Sequence, residues 1–256
     1  MDLDLRNSVC LVTGSTGGIG LETARLLAAE GARVVTSGRR ERAPAVGEAL
    51  HLSADLARPG EPERLVRDVE ERLGRLDVLV NNVGLAVQRS FEDVTDEQWE
   101  EVWQLNVMSY VRTIRAAIPG MRDRGGGTIV NVSSTAGKRP SIGMPDYTVT
   151  KAAVLSVSRL VADTYAGSGI RCNAVTPGPT ATEAWLGAGG LADQQAARSG
   201  KTRDEVLAAV GAGRPLGRLA EPQEIAAVVA FLCSPRASYV TGAAWSADGG
   251  TVPIIV

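Results

Sequence analysis

An α/β domain with a doubly wound, mostly parallel sheet is predicted by three features of this 256-residue sequence. Short apolar runs alternate with longer stretches of helical periodicity along the whole chain, the pattern of a sheet covered by helices. The first run, residues 9–12, enters a glycine-rich turn and then an amphipathic stretch, a strand, turn and helix unit at which phosphate groups can be held. Two later runs, residues 127–134 and 170–178, end in small or hydroxyl residues, as expected of buried strands that deliver reactive groups at their carboxyl ends. One domain of this length buries a single sizeable core.

Taken in order, the stretch after the glycine turn carries Ile19, Leu21, Ala24, Leu26, Leu27 and Ala28 at helical spacing and stops at Gly31. The turn reads as a phosphate site or as a merely structural turn. A second strand, residues 33–37, leads to Gly38-Arg39-Arg40. An NAD site would place a carboxylate there against the adenosine ribose, whereas arginines can accept a 2′-phosphate. The pair therefore reads as a determinant of NADP(H), with NAD(H) as the alternative cofactor, or as two solvated arginines. A third strand, residues 50–53, holds the only histidine, His51, as a strand side chain without a catalytic role.

Residues 61–73 form an amphipathic helix, and residues 76–80 a fourth strand that runs into Asn81-Asn82-Val83-Gly84. Residues 95–124 are a long helical stretch opened by Thr95-Asp96-Glu97-Gln98, a helix-start signal. Asn106 lies in its middle, where asparagine is a poor helix former. Trp99 and Trp103 suit a core or an interface. Val111, Ile114 and Ile118, with Ala152, Ala153, Leu155 and Val157 of the later helix, predict packing against a second subunit. Residues 182–213 turn to alanine, glycine and mixed charge, with a helical patch near 204–210, and read as a substrate lid or a surface insertion. Glu221-Pro222 starts a further helix. Residues 241–250 hold the last strand, and the apolar tail 251–256 is expected at a subunit interface or near a pocket.

Bulk properties narrow the function. A net charge of -2 and a pI of about 5.6 supply no field for nucleic acid or an anionic membrane. Cys10, Cys172 and Cys233 sit apart in apolar runs, as reduced core thiols rather than a disulfide or metal site. The first residues are acidic where a signal peptide needs positive charge, and no apolar run is long enough to span a bilayer, so a cytoplasmic location is expected.

The chemistry centres on Tyr147 and Lys151, four positions apart at the predicted start of a helix. That spacing stacks phenol and ammonium on one face. The cation is expected to lower a phenol pKa that starts near about 10, so that the hydroxyl can exchange a proton near neutral pH. Alone, the pair would read as a surface helix pair. Its company is Thr13-Gly14, Gly18-Ile19-Gly20, Asn81-Asn82, Gly84, Asn106, Ser134 and Pro177-Gly178.

In order and rough spacing these motifs resemble those of the short-chain dehydrogenase/reductase family, over nearly the whole chain. The resemblance implies a single-domain Rossmann-type fold over residues 1–256, with seven strands and helices on both faces. It implies that the first turn (Gly14, Ser15, Thr16, Gly18, Ile19, Gly20) holds the cofactor pyrophosphate. Asp55 and Leu56 would lie beside the adenine, and Asn82, Gly84, Pro177, Gly178 and Thr182 would complete the cofactor site with Tyr147 and Lys151. Ser134, thirteen residues before Tyr147, is preferred to Ser133 as the group that hydrogen-bonds the substrate oxygen. Asn106 is either a surface or capping asparagine or, by resemblance, the anchor of a proton-relay water. Val83 stands where the family usually has alanine.

The implied activity is hydride transfer between NADP(H) and a carbonyl or secondary alcohol. Thr135, Ile142, Met144, Pro179, Trp185 and Leu191 predict a mostly apolar pocket for a small-molecule or CoA-linked substrate. A 3-oxoacyl-[acyl-carrier-protein] reductase is the alternative, with Arg122, Arg124, Lys138 and Arg139 as substitute grips for the acidic carrier. A non-catalytic dinucleotide sensor is the reading from another class. No metal, nucleic acid or membrane partner is expected, and a homotetramer or homodimer is.

Overall fold

Each apolar run closes into a strand of one sheet in the computed structural model, which describes residues 2–42 and 44–253. The strands are β1 (Val9–Val12), β2 (Arg33–Gly38), β3 (Leu50–Ser53), β4 (Val78–Asn81), β5 (Gly127–Val132), β6 (Ile170–Pro177) and β7 (Ala244–Ala247). The fourth begins two residues later than expected, although the Asp77 backbone already bonds to Val9 and Thr128 of the neighbouring strands. The order is β3-β2-β1-β4-β5-β6-β7, with every pair parallel. The chain runs outward from β1 to β3 and then crosses back to β4, which opens a crevice between β1 and β4 at the carboxyl edge.

Side chains of a strand alternate between faces, and β1 shows both cores. Val9 and Leu11 join Leu65 and Val69 of α2 (Glu61–Leu73), Ile114 and Met121 of α4 (Ser109–Asp123) and Val154 of α6 (Pro145–Tyr165). Cys10 and Val12 join Ala24 and Leu27 of α1 (Gly18–Ala29) and Ile225 and Val229 of α10 (Pro222–Cys233) on the other face. Ile114 and Ile118 thus lie in the chain's own core, which corrects their assignment to a subunit interface: burying each contributes about 1.5–3 kcal/mol within this chain. Ala152 remains exposed, and Val111, Ala153, Leu155 and Val157 are half-buried.

The long helical stretch is α3 (Asp96–Trp103), a π-helical segment Gln104–Met108, and α4. Thr95 and Gln98 cap its start reciprocally. Residues 182–213 form the short helices α7 (Glu183–Leu186), α8 (Leu191–Ser199) and α9 (Arg203–Ala212) above the carboxyl edge. Residues 254–256 of the apolar tail lie outside the described residues.

Candidate active site

The carboxyl ends of β1, β4, β5 and β6 open onto one cavity of about 790 Å³. At the β1 end, Gly14 has φ +61°, where a side chain would be strained and its Cβ would lie 2.9 Å from Val83 Cα. A Cβ at Gly20, in the first turn of α1, would stand 2.5 Å from the Gly14 carbonyl and would also strike the Asn82 amide. Asn82 ties the crevice shut beneath the turn, donating from Nδ2 to the Thr13 and Gly14 carbonyls at 3.1 and 3.0 Å. Gly14, Gly18 and Ile19 face the cavity, beside the start of a twelve-residue helix, so a dinucleotide phosphate fits this cradle. Ser15 is fully buried and spends its hydroxyl on the Val12 carbonyl. Thr16 packs beside Gly38, whose Cβ would come within 2.6 Å of it, so the turn abuts the β2 end that carries Arg39 and Arg40.

Both arginines are exposed, and their backbone carbonyls are held by Ser53 Oγ at 3.3 Å and His51 Nε2 at 2.8 Å. His51 contacts Thr36 Oγ1 through Nδ1 at 2.9 Å, a strand role. Asp55 pairs with Arg58 at 3.2 Å. The Leu56 side chain is buried in the core, because the apolar face over α2 draws it inward, so its backbone is what it can offer to a bound adenine.

At the centre, Tyr147 and Lys151 stand on the first turns of α6, and Ser134 caps the short helix α5 (Thr135–Lys138) beyond β5. All three line the cavity. Ser133, by contrast, donates to the Lys151 carbonyl at 2.7 Å. Lys151 Nζ donates to the Val132 carbonyl at 2.9 Å and lies 5.7 Å from the Tyr147 ring centre and 5.4 Å from that of Tyr110. Burial pushes the Tyr147 phenol up, and its hydrogen bond with Ser134 offsets part of that. Burial likewise pushes Lys151 down to about 7. The phenol is therefore not acidified in the protein alone, contrary to the sequence expectation: desolvation acts on both groups, and the ammonium sits over the ring rather than on the hydroxyl.

Asn106 is fully buried in the π-helical segment, a distortion that recurs at functional sites. It accepts from the Leu85 amide at 2.8 Å and donates to the Leu85 carbonyl at 2.9 Å and Thr150 Oγ1 at 3.1 Å. It does not reach the cavity wall; the Cβ position of Gly84 lies 3.5 Å from Lys151 Nζ and 3.6 Å from Asn106 Oδ1, which places Gly84 between them. Pro177, Gly178 and Thr182 line the cavity beyond β6.

Three features had no motif to announce them. Tyr110 is buried beside Lys151, with its hydroxyl on the Val83 and Val132 carbonyls at 2.9 and 3.1 Å. Asp146, fully buried, accepts from the Tyr147 amide at 2.8 Å and forms an ion pair with Arg89. The loop bearing Arg89 also reaches α8, because the Gln88 amide donates to Gln194 Oε1 at 2.9 Å. The expected pocket residues Thr135, Ile142, Met144, Pro179, Trp185 and Leu191 all line the cavity, but so do Gln88, Arg139, Glu183, Gln195 and Arg214. The expected apolar wall is thus present, and polar side chains join it from α7, α8, the turn after α9, the loop bearing Gln88 and the end of α5, which no local pattern assigns to a site.

Comparison with known proteins agrees with this geometry. Residues 14–252 match a family model described as enoyl-(acyl carrier protein) reductase. The 2-(S)-hydroxypropyl-CoM dehydrogenase 3 of Xanthobacter autotrophicus is 36% identical, over 98% of this chain and 98% of its own. A 3-oxoacyl-[acyl-carrier-protein] reductase of Vibrio cholerae is 32% identical, over 97% of this chain and 98% of its own. The structure of L-sorbose reductase from Gluconobacter frateurii, in complex with NADPH and L-sorbose, superposes with a TM-score of 0.91 at 34% identity, covering 100% of both chains. A switch-point glycine cradle, a tyrosine and lysine on one helix turn, and full-length relatives of this kind together show that the chain belongs to the short-chain dehydrogenase/reductase family, nicotinamide-dependent oxidoreductases acting on alcohol and carbonyl groups.

Proposed function

We propose that this enzyme reduces a carbonyl, or oxidises the matching secondary alcohol, with NADP(H) as the preferred cofactor, and that Tyr147, Ser134, Lys151 and Asn106 carry the reaction. The observation that carries this reading is the convergence of Tyr147, Ser134 and Lys151 on the cavity that begins at the glycine cradle. A bound nicotinamide supplies or accepts the hydride. The chain supplies the rest. Gly14, Ser15, Thr16, Gly18, Ile19 and Gly20 cradle the phosphates, and Arg39 and Arg40, exposed beside that turn, favour a 2′-phosphate. Asp55, Asn82, Gly84, Pro177, Gly178 and Thr182 border the rest of the cofactor.

Ser134 orients the substrate oxygen, and Tyr147 holds the proton. A phenol kept neutral by burial is a competent donor in the reducing direction, and the desolvated Lys151 ammonium stabilises the phenolate left behind. Asn106, next to Gly84 and Lys151, anchors a water that returns the proton from solvent. Residues 182–213 act as the substrate lid, supported by Trp185 and Leu191 in the cavity wall and the tie from Gln194 to the Gln88 amide. The three buried free thiols suit a reducing cytoplasm, and a homotetramer or homodimer is the proposed assembly.

A carrier-protein substrate is the less supported reading. Two of its four proposed grips are spent internally: Arg124 on Glu70 and the Leu76 carbonyl, and Lys138 on Ala244 and Ser246. Tyr147→Phe tests the mechanism on a carbonyl and alcohol panel with both cofactors. NADPH affinity should stay within about twofold while turnover falls by about 10²-fold or more, the usual span of general-acid effects. Retained turnover would remove Tyr147 from the mechanism, and NADPH binding with no turnover of any substrate by the unmutated enzyme would favour a dinucleotide sensor.

A further inference from the structure

Arg214 follows α9 by two residues and lines the catalytic cavity. Its Nε is buried without a hydrogen-bond partner, and Nη1 reaches only the neighbouring Gly213 carbonyl at 3.5 Å. No carboxylate among the described residues pairs with it, whereas Arg159 and Arg218 on the surface each hold one and Arg64 holds two. A guanidinium cannot shed its charge, so a half-buried one with an idle donor needs an acceptor from the cavity, and an anion is the acceptor that also offsets its charge.

The fold holds this cation in place. Its amide donates to the Gly211 carbonyl at 3.0 Å, and Gly217 donates back to the Arg214 carbonyl at 2.9 Å. Next to it, Leu216 donates to the Gly249 carbonyl at 3.3 Å, and Pro215 packs on Gly250. The turn is thus fastened to the segment after β7, whose Thr251 and Val252 also line the cavity. In the sheet order β7 stands four strands from β1, a separation of about 19 Å at the usual strand spacing. Arg214 is therefore fastened on the β7 side of the cavity, and the Gly14 turn lies on its β1 side. Trp185, Leu191 and Val210 supply the apolar wall of the same cavity. Glu183 is its carboxylate, exposed in the first turn of α7, and besides Lys151 at the catalytic centre Arg139 adds an exposed cation.

We infer that the substrate is an amphiphilic carbonyl compound with an oxyanion at the end away from the reacting carbon, and that Arg214 holds that anion. This rests on the hydride-transfer reading above and names its substrate class. The planar fork of arginine suits a carboxylate or a phosphate, which has two sources: a carboxylate on the substrate itself, or a phosphate on a thioester carrier arm.

The test uses the full-length enzyme. Straight-chain oxo acids from 3-oxobutanoate to 7-oxooctanoate are compared with their methyl esters, and acetoacetyl-CoA with the neutral N-acetylcysteamine thioester. Each pair is measured by kcat/KM with NADPH and by calorimetric binding to the enzyme–NADP+ complex, where no hydride is available. At least one charged member should exceed its neutral partner tenfold or more in both readouts. Arg214→Met should erase that preference while leaving the neutral partner and NADPH affinity within about twofold, and Arg214→Lys should keep part of it. The pair that responds identifies the source of the anion. The inference is overturned if no charged member is preferred, if Arg214→Met weakens charged and neutral compounds alike, or if it weakens NADPH. Absence of all turnover would count against hydride transfer, while calorimetry would still decide the anion site.

Discussion

At the scale of single residues, the active centre is governed by desolvation. Lys151 is 2% exposed and has, among the described residues, the Val132 carbonyl alone as a hydrogen-bond partner of its ammonium, so its charged form is disfavoured in the fold and its pKa drops to about 7. The unfolded chain then binds more protons than the native chain wherever the pH lies between the two values, and stability rises with pH across that window. Compared with Lys151→Met, the cofactor-free enzyme should gain stability from pH 7 to 8.5, by up to about 1.4 kcal/mol per pH unit. Urea denaturation at several pH values measures it, and a pH-independent difference would place the ammonium in contact with solvent. The sequence showed the pairing of Tyr147 with Lys151 but not this sign, because helical spacing reports who shares a face and not how dry that face is. The choice of Ser134 over Ser133 comes from the spacing to Tyr147 in a family resemblance, and the structure adds a physical reason: the Ser133 hydroxyl is consumed by the Lys151 carbonyl, and Ser134 lines the cavity.

At the scale of elements, α6 is the catalytic platform, and its start is clamped from outside. Asp146 holds the Tyr147 amide and a buried ion pair with Arg89, itself 15% exposed, from a loop 57 positions earlier. Removing one member of such a pair leaves a buried charge unmatched, which typically costs about 3–5 kcal/mol. Asp146→Ala should lose that much in denaturant unfolding, and Asp146→Asn less, since the amide oxygen still accepts from Tyr147. A loss below about 1 kcal/mol would show that Arg89 simply turns to water. Most elements were legible in the chain because period and caps are local: residues 61–73 match α2 end to end, and the Thr95 and Gln98 pattern forms the cap it implies. The π-helical segment around Asn106 was not, since the partner of its asparagine is the remote backbone of Leu85, which no local pattern shows.

At the scale of the whole molecule, sheet order decides where chemistry can occur. Gly14 and Asn82 meet because β1 and β4 are neighbours where the strand order reverses, although they are 68 positions apart in sequence. Exposed apolar side chains remain, Leu160 at 65% on α6 among them. The proposed assembly through this helix predicts that light scattering will give a dimer or tetramer mass, shifted towards the monomer by Leu160→Glu. A monomeric unmutated enzyme would exclude that assembly.

By itself the amino-acid order determined the alternation of strands and helices, the glycine cradle, the tyrosine and lysine turn and hence the family, because each depends on residues only a few positions apart. The three-dimensional arrangement alone decided which leucine went inward at position 56, that Ile114 and Ile118 serve the core, that burial raises the tyrosine, and that Arg214 stands in the same cavity as a reactive phenol 67 positions earlier. Burial and long-range neighbours are sums over the entire packed chain, and no short window of sequence contains them.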